Sequence, residues 1–148
     1  MEMTEIRGID PPAAAGWHET RLRVRYAETD QMGVVYHSNY LVWFETGRVE
    51  YFRSLGYSYR EMEKLDGCFL AVVDAHLRYR APARYDDLVV VRTRVTRRRA
   101  AVLHFGYEVV RESDGVLLAT GETVHVWVDR NFEPTTLPER YQQGLEPA

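Results

Sequence analysis

From Glu19 the chain alternates: Leu22, Val24 and Tyr26 fall to one side and Arg21, Arg23 and Arg25 to the other, which predicts a half-buried strand. After a polar turn from Glu28 to Gly33 the period lengthens. Tyr40, Phe44, Gly47, Tyr51 and Leu55 recur at helical spacing and predict a helix over about 39–55. Ser38 or Asn39 is placed to cap its first turn, and Gly56 to end it. Val42, Trp43 and Val49 add apolar groups on a second side and leave mainly Thr46, Glu50 and Arg53 for water, so the helix is expected at the centre of the domain. Gly47 costs about 1 kcal/mol relative to alanine in mid-helix, and a close approach to a sheet is a physical reason to tolerate it.

A short second helix is expected from a Ser58 cap to about Lys64, with Glu61 completing a capping box and Gly67 closing the piece. Alternation then returns in four runs, about 69–80, 87–98, 101–111 and 116–129, each read as a strand. Their apolar sides are Ala71, Val73, Ala75, Leu77 and Tyr79; Val89, Val91, Thr93 and Val95; Leu103, Phe105, Tyr107 and Val109; and Val124, Val126 and Val128. Ser113-Asp114-Gly115 is a strong hairpin turn and Arg99-Ala100 a weaker one. The order strand, helix, four antiparallel strands describes an α+β domain whose helix covers one sheet face.

Residues 1–17, with Pro11-Pro12-Ala13-Ala14-Ala15-Gly16, carry no amphipathic period and read as an N-terminal tail. The domain proper is placed at 18–131, and 132–148 reads as a C-terminal tail leaving the sheet. With 148 residues, 45% of them hydrophobic, there is material for one domain and one core, and a deep site would need walls from a second copy. The net charge of -3 disfavours a nucleic-acid partner. The single cysteine, the absence of an apolar leader and the lack of roughly 20 consecutive apolar residues predict a cytoplasmic protein with no transmembrane segment.

Nucleophile elbows, dinucleotide and phosphate loops and paired-cysteine motifs are all absent from the sequence, and the five histidines have no ligand spacing, so no metal is expected. Chemistry is left to the segment Arg25-Tyr26-Ala27-Glu28-Thr29-Asp30-Gln31-Met32-Gly33-Val34-Val35-Tyr36-His37-Ser38-Asn39-Tyr40, which joins strand to helix. Taken alone, Asp30 in such a turn can be a mere turn cap. Gly33 is read as supplying a positive φ or a close ligand approach.

This segment resembles the signature of the hot-dog-fold acyl-CoA thioesterases related to 4-hydroxybenzoyl-CoA thioesterase, in which T-D-x-x-G-x-V leads into Y-H-x-x-Y at the helix start. Glu45, the Leu55-Gly56 pair and the strand order agree with it over roughly residues 19–130. The resemblance implies a single hot-dog domain, a long central helix wrapped by a five-stranded antiparallel sheet in the order β-α-β-β-β-β. It implies Asp30 as the catalytic carboxylate, either a nucleophile forming a mixed anhydride or a general base for water. It further implies an oxyanion hole at the main-chain N–H of His37, with the imidazole free to touch the thioester or Asp30. Gly33, Tyr40 and Glu45 are the substrate-binding candidates, although Glu45 is equally suited to an exposed or interfacial ion pair. Arg97-Arg98-Arg99 could meet CoA phosphates, but Arg97 and Arg98 should point to opposite sheet faces. No cofactor is required, and self-association as a dimer or tetramer is expected. The same fold also serves acyl-thioester dehydratases, against which the T-D-x-x-G-x-V turn argues, and non-catalytic acyl-CoA-binding proteins, which stand as the alternative.

Overall fold

A computed structural model describes residues 16–147. Strand β1 (His18–Arg23) leads through a 3-10 turn to helix α1 (Asn39–Ser54) and helix α2 (Tyr59–Asp66), and strands β2 (Phe69–Tyr79), β3 (Leu88–Arg99), β4 (Val102–Arg111) and β5 (Leu117–Val128) follow. The strands form one antiparallel sheet ordered β1-β3-β4-β5-β2, against which α1 lies, as the hot-dog reading requires. Among the described residues no helix is long and apolar enough to cross a membrane. Of the expected N-terminal tail, residues 1–15 lie outside the described residues.

Helix α1 buries Tyr40, Trp43, Phe44, Gly47, Arg48 and Phe52. Phe44 stacks on Tyr107 of β4, with ring centroids 4.1 Å apart. Gly47 sits where a Cβ would collide with Thr93 Oγ1, which is the close approach to the sheet its sequence position suggests. Val42 departs from expectation: it is exposed beside Leu41, whereas Trp43 of the same expected side is buried. Helix α2 begins on Ser58, whose hydroxyl accepts a hydrogen bond from the Glu61 N–H at 3.4 Å, and ends at Gly67 in the left-handed region.

The helix-facing sides of β3 and β4 are those the alternation predicts. That of β5 is not. Val124 and Val126 face away from the helix, half exposed, while Thr123, His125 and Trp127 are buried. The polar pair can be buried because it is hydrogen-bonded: Arg48 Nη1 donates to the Tyr107 hydroxyl (3.1 Å), which lies 2.7 Å from Thr123 Oγ1, itself 2.7 Å from His125 Nε2. In β2 a bulge between Val72 and Asp74 shifts the register. Ala75, Leu77 and Tyr79 therefore pair with the helix-facing Thr123, Gly121 and Ala119, but Ala71 pairs with the outward Val126. The β1 pattern also breaks early, because the chain enters the 3-10 turn at Tyr26 and leaves that ring exposed.

The segment after Phe132 folds back instead of departing. Pro134 bridges to Val128, the Thr135 N–H donates to the Trp127 carbonyl (2.8 Å), and Leu137, Tyr141 and Leu145 are buried against the core.

Candidate active site

The turn between β1 and α1 is built by short-range hydrogen bonds. The Asp30 N–H donates to the Val34 carbonyl (2.8 Å) and the Gly33 N–H to the Asp30 carbonyl (2.9 Å), with Gly33 at φ +81°. A side chain at position 33 would have to adopt the left-handed conformation, so glycine is the natural occupant. Asp30 Oδ1 accepts from the main-chain N–H groups of Met32 (2.9 Å) and Val34 (3.4 Å). Its other oxygen, Oδ2, has no partner among the described residues. The carboxylate is thus held on one side by its own turn and open on the other.

Helix α1 starts without the side-chain cap expected from Ser38 or Asn39. Ser38 is itself in a right-handed helical conformation and accepts no cap bond, and Asn39 Nδ2 donates instead to the Glu28 carbonyl (2.8 Å). The Asn39 and Leu41 N–H groups close on the Tyr36 and Ser38 carbonyls. Among the described residues nothing accepts from the main-chain N–H groups of His37 and Ser38, which stand free at the positive end of the helix. The His37 ring is exposed and lies against Tyr36, with centroids 4.4 Å apart.

Asp30, His37 and Tyr40 line one cleft of about 360 Å³, together with Met32, Val34, Tyr79 and Arg80. Tyr40 is buried at its floor, and burial pushes its phenol pKa up. Gly33 shapes the turn without lining the cleft, and Glu45 lies exposed on α1 outside it. Arg98 points to the C-terminal segment and donates to Gln142 Oε1 (2.6 Å), whereas Arg97 and Arg99 border a separate depression at the β3–β4 hairpin. The sequence pattern does not single out Tyr79 and Arg80, whose place in the cleft follows from the pairing of β2 with β5, or Glu28 beside the turn. Nothing local marks the first two. Glu28 did carry a signal, a second carboxylate two residues before Asp30.

The sequence profile of the Thioesterase-like superfamily matches residues 24–145. YneP of Bacillus subtilis (strain 168), named a candidate acyl-CoA thioesterase, is 40% identical over 114 residues, 76% of this chain and 81% of that protein. The acyl-CoA thioester hydrolase YbgC of Escherichia coli O157:H7 is 34% identical over 119 residues, 80% of this chain and 87% of that protein. Among solved structures, that of a DHNA-CoA thioesterase from Staphylococcus aureus superposes with a TM-score of 0.79 at 38% identity, covering 84% of this chain and 83% of that one.

Proposed function

Because the chain belongs to the thioesterase-like superfamily, we propose that it is an acyl-CoA thioesterase that cleaves the thioester with water to release a free acid and CoA. Asp30 is its reacting carboxylate. The observation that carries this assignment is the division of labour between its two oxygens in a residue that lines the cleft, Oδ1 fixed by two turn N–H groups and Oδ2 without a partner among the described residues. Acting as nucleophile, Oδ2 attacks the carbonyl carbon, expels CoA thiolate and leaves a mixed anhydride for water to hydrolyse; acting as base, it takes a proton from the attacking water.

Either route places negative charge on the thioester oxygen, which the free N–H groups of His37 and Ser38 are suited to receive. Loss of one such donor typically costs about 2.7–4 kcal/mol of barrier. Tyr40 closes the floor of the cleft and excludes water from the reacting carbonyl. Glu45, lying outside the cleft, is assigned to its exposed surface or to contact with a second copy, and Gly33 to holding the turn open for the substrate. A second copy is proposed along β2, an edge strand whose Val72 and Val73 are 53% and 59% exposed.

The test is thiol release from short, long and aromatic acyl-CoAs by the wild type, Asp30→Asn and His37→Ala. Turnover should fall by about two to four orders of magnitude in Asp30→Asn, while His37→Ala, which keeps the main-chain donor, loses less than about tenfold. Tight acyl-CoA binding with no hydrolysis of any substrate would replace this reading with a non-catalytic acyl-CoA-binding protein.

A further inference from the structure

Glu28 is the one buried Asp or Glu among the described residues, at 7% exposure, in a stretch whose neighbours Tyr26 and Ala27 face water. Burying a carboxylate is costly unless it is fully paired. Here each carboxylate oxygen has a hydrogen-bond donor, and a cation stands beside the pair. Oε1 accepts from the Arg25 N–H (2.8 Å), Oε2 accepts from Trp43 Nε1 (2.9 Å), and the Arg25 guanidinium stands 3.6 Å from Oε2. The main-chain carbonyl of the same residue accepts from the Tyr36 N–H (2.9 Å) and from Asn39 Nδ2 (2.8 Å).

These partners belong to three pieces of chain that the cleft must hold in register. Arg25 lies two residues beyond β1, at the start of the 3-10 turn, Tyr36 and Asn39 flank the free N–H groups, and Trp43 sits one turn into α1. Asp30 follows Glu28 by two residues. The side chain adds no apolar burial to the core, so its contribution is geometric. We propose that Glu28 is a positioning residue: through Trp43 Nε1 and the helix entrance it fixes the Asp30 carboxylate relative to the N–H groups of His37 and Ser38. This rests on the reading of Asp30 given above. A displacement of about 1 Å at a reacting centre can cost on the order of a hundredfold in rate, so a lost tie should appear in turnover before it appears in substrate affinity.

The experiment compares Glu28→Gln, Trp43→Phe, the double variant and Asp30→Asn, measuring kcat and KM per folded enzyme alongside urea denaturation. Glu28→Gln and Trp43→Phe are each expected to lower kcat roughly 10- to 100-fold with KM changed less than about threefold. The double variant should be no worse than the poorer single, because both break one contact. A lower denaturation midpoint with unchanged kcat overturns the proposal, and so do single losses that multiply in the double variant. If Asp30→Asn is inert while Glu28→Gln turns over normally, only Glu28 is reassigned. If Asp30→Asn retains wild-type turnover, the Asp30 reading fails and takes this proposal with it. Should Glu28→Gln not accumulate folded, Trp43→Phe tests the same contact from the other side.

Discussion

Tyr79, at the end of β2, donates its hydroxyl to the main-chain carbonyl of His37 at the entrance to α1, across 2.8 Å and 42 positions of sequence. In a trans peptide the carbonyl of one residue and the N–H of the next point opposite ways, so this bond also aims the Ser38 N–H. A residue of the sheet thereby orients a donor of the helix.

Tyr79→Phe removes that hydrogen bond and little else. A net loss of about 0.5–1.5 kcal/mol corresponds to a fall in kcat of roughly 2- to 13-fold. Steady-state kinetics with one acyl-CoA decide the matter, and an unchanged kcat would show that the Ser38 donor needs no such support.

Gly47→Ala is expected to destabilise the fold although alanine is the better helix former. The new Cβ meets Thr93 Oγ1, and overpacking of about 1–3 kcal/mol exceeds the propensity gain of about 1 kcal/mol. The Thr93 hydroxyl has no hydrogen-bond partner among the described residues, so Thr93→Ala makes room without orphaning a donor there. Denaturant titration should show Gly47→Ala/Thr93→Ala more stable than the sum of the single changes, and strict additivity would mean the helix shifts rather than collides.

His125 gives the fold a pH dependence of known sign. Burial, with the nearby Arg48 and His104 charges, lowers its pKa to about 3 from 6.5. The folded state therefore favours neutral imidazole. Above pH 6.5 both states are neutral and its contribution is complete; as the pH falls from there toward 3 the unfolded chain gains a proton that the folded chain refuses. Stability should drop by about 1.4 kcal/mol per pH unit from this group within the window. Urea melts at pH 7, 6 and 5 should show a steeper loss in the wild type than in His125→Gln, and parallel slopes would exclude His125 as the source.

The strands, the central helix, its glycine at the sheet and the Asp30 turn were all legible in the sequence, because each is encoded by residues close together in the chain. Periodicity reports a face but not its destination: in β5 the apolar Val124 and Val126 look outward, and Thr123 and His125 are buried because Tyr107 and Arg48 arrive from other elements to satisfy them. The β2 bulge, the return of residues 133–145 onto the core and the meeting of Tyr79 with His37 were likewise decided by pairing across the fold. The motif names the carboxylate. Its tie to the N–H groups of Met32 and Val34 is equally local; the cleft it lines exists only once the pairing of β2 with β5 brings Tyr79 and Arg80 to it.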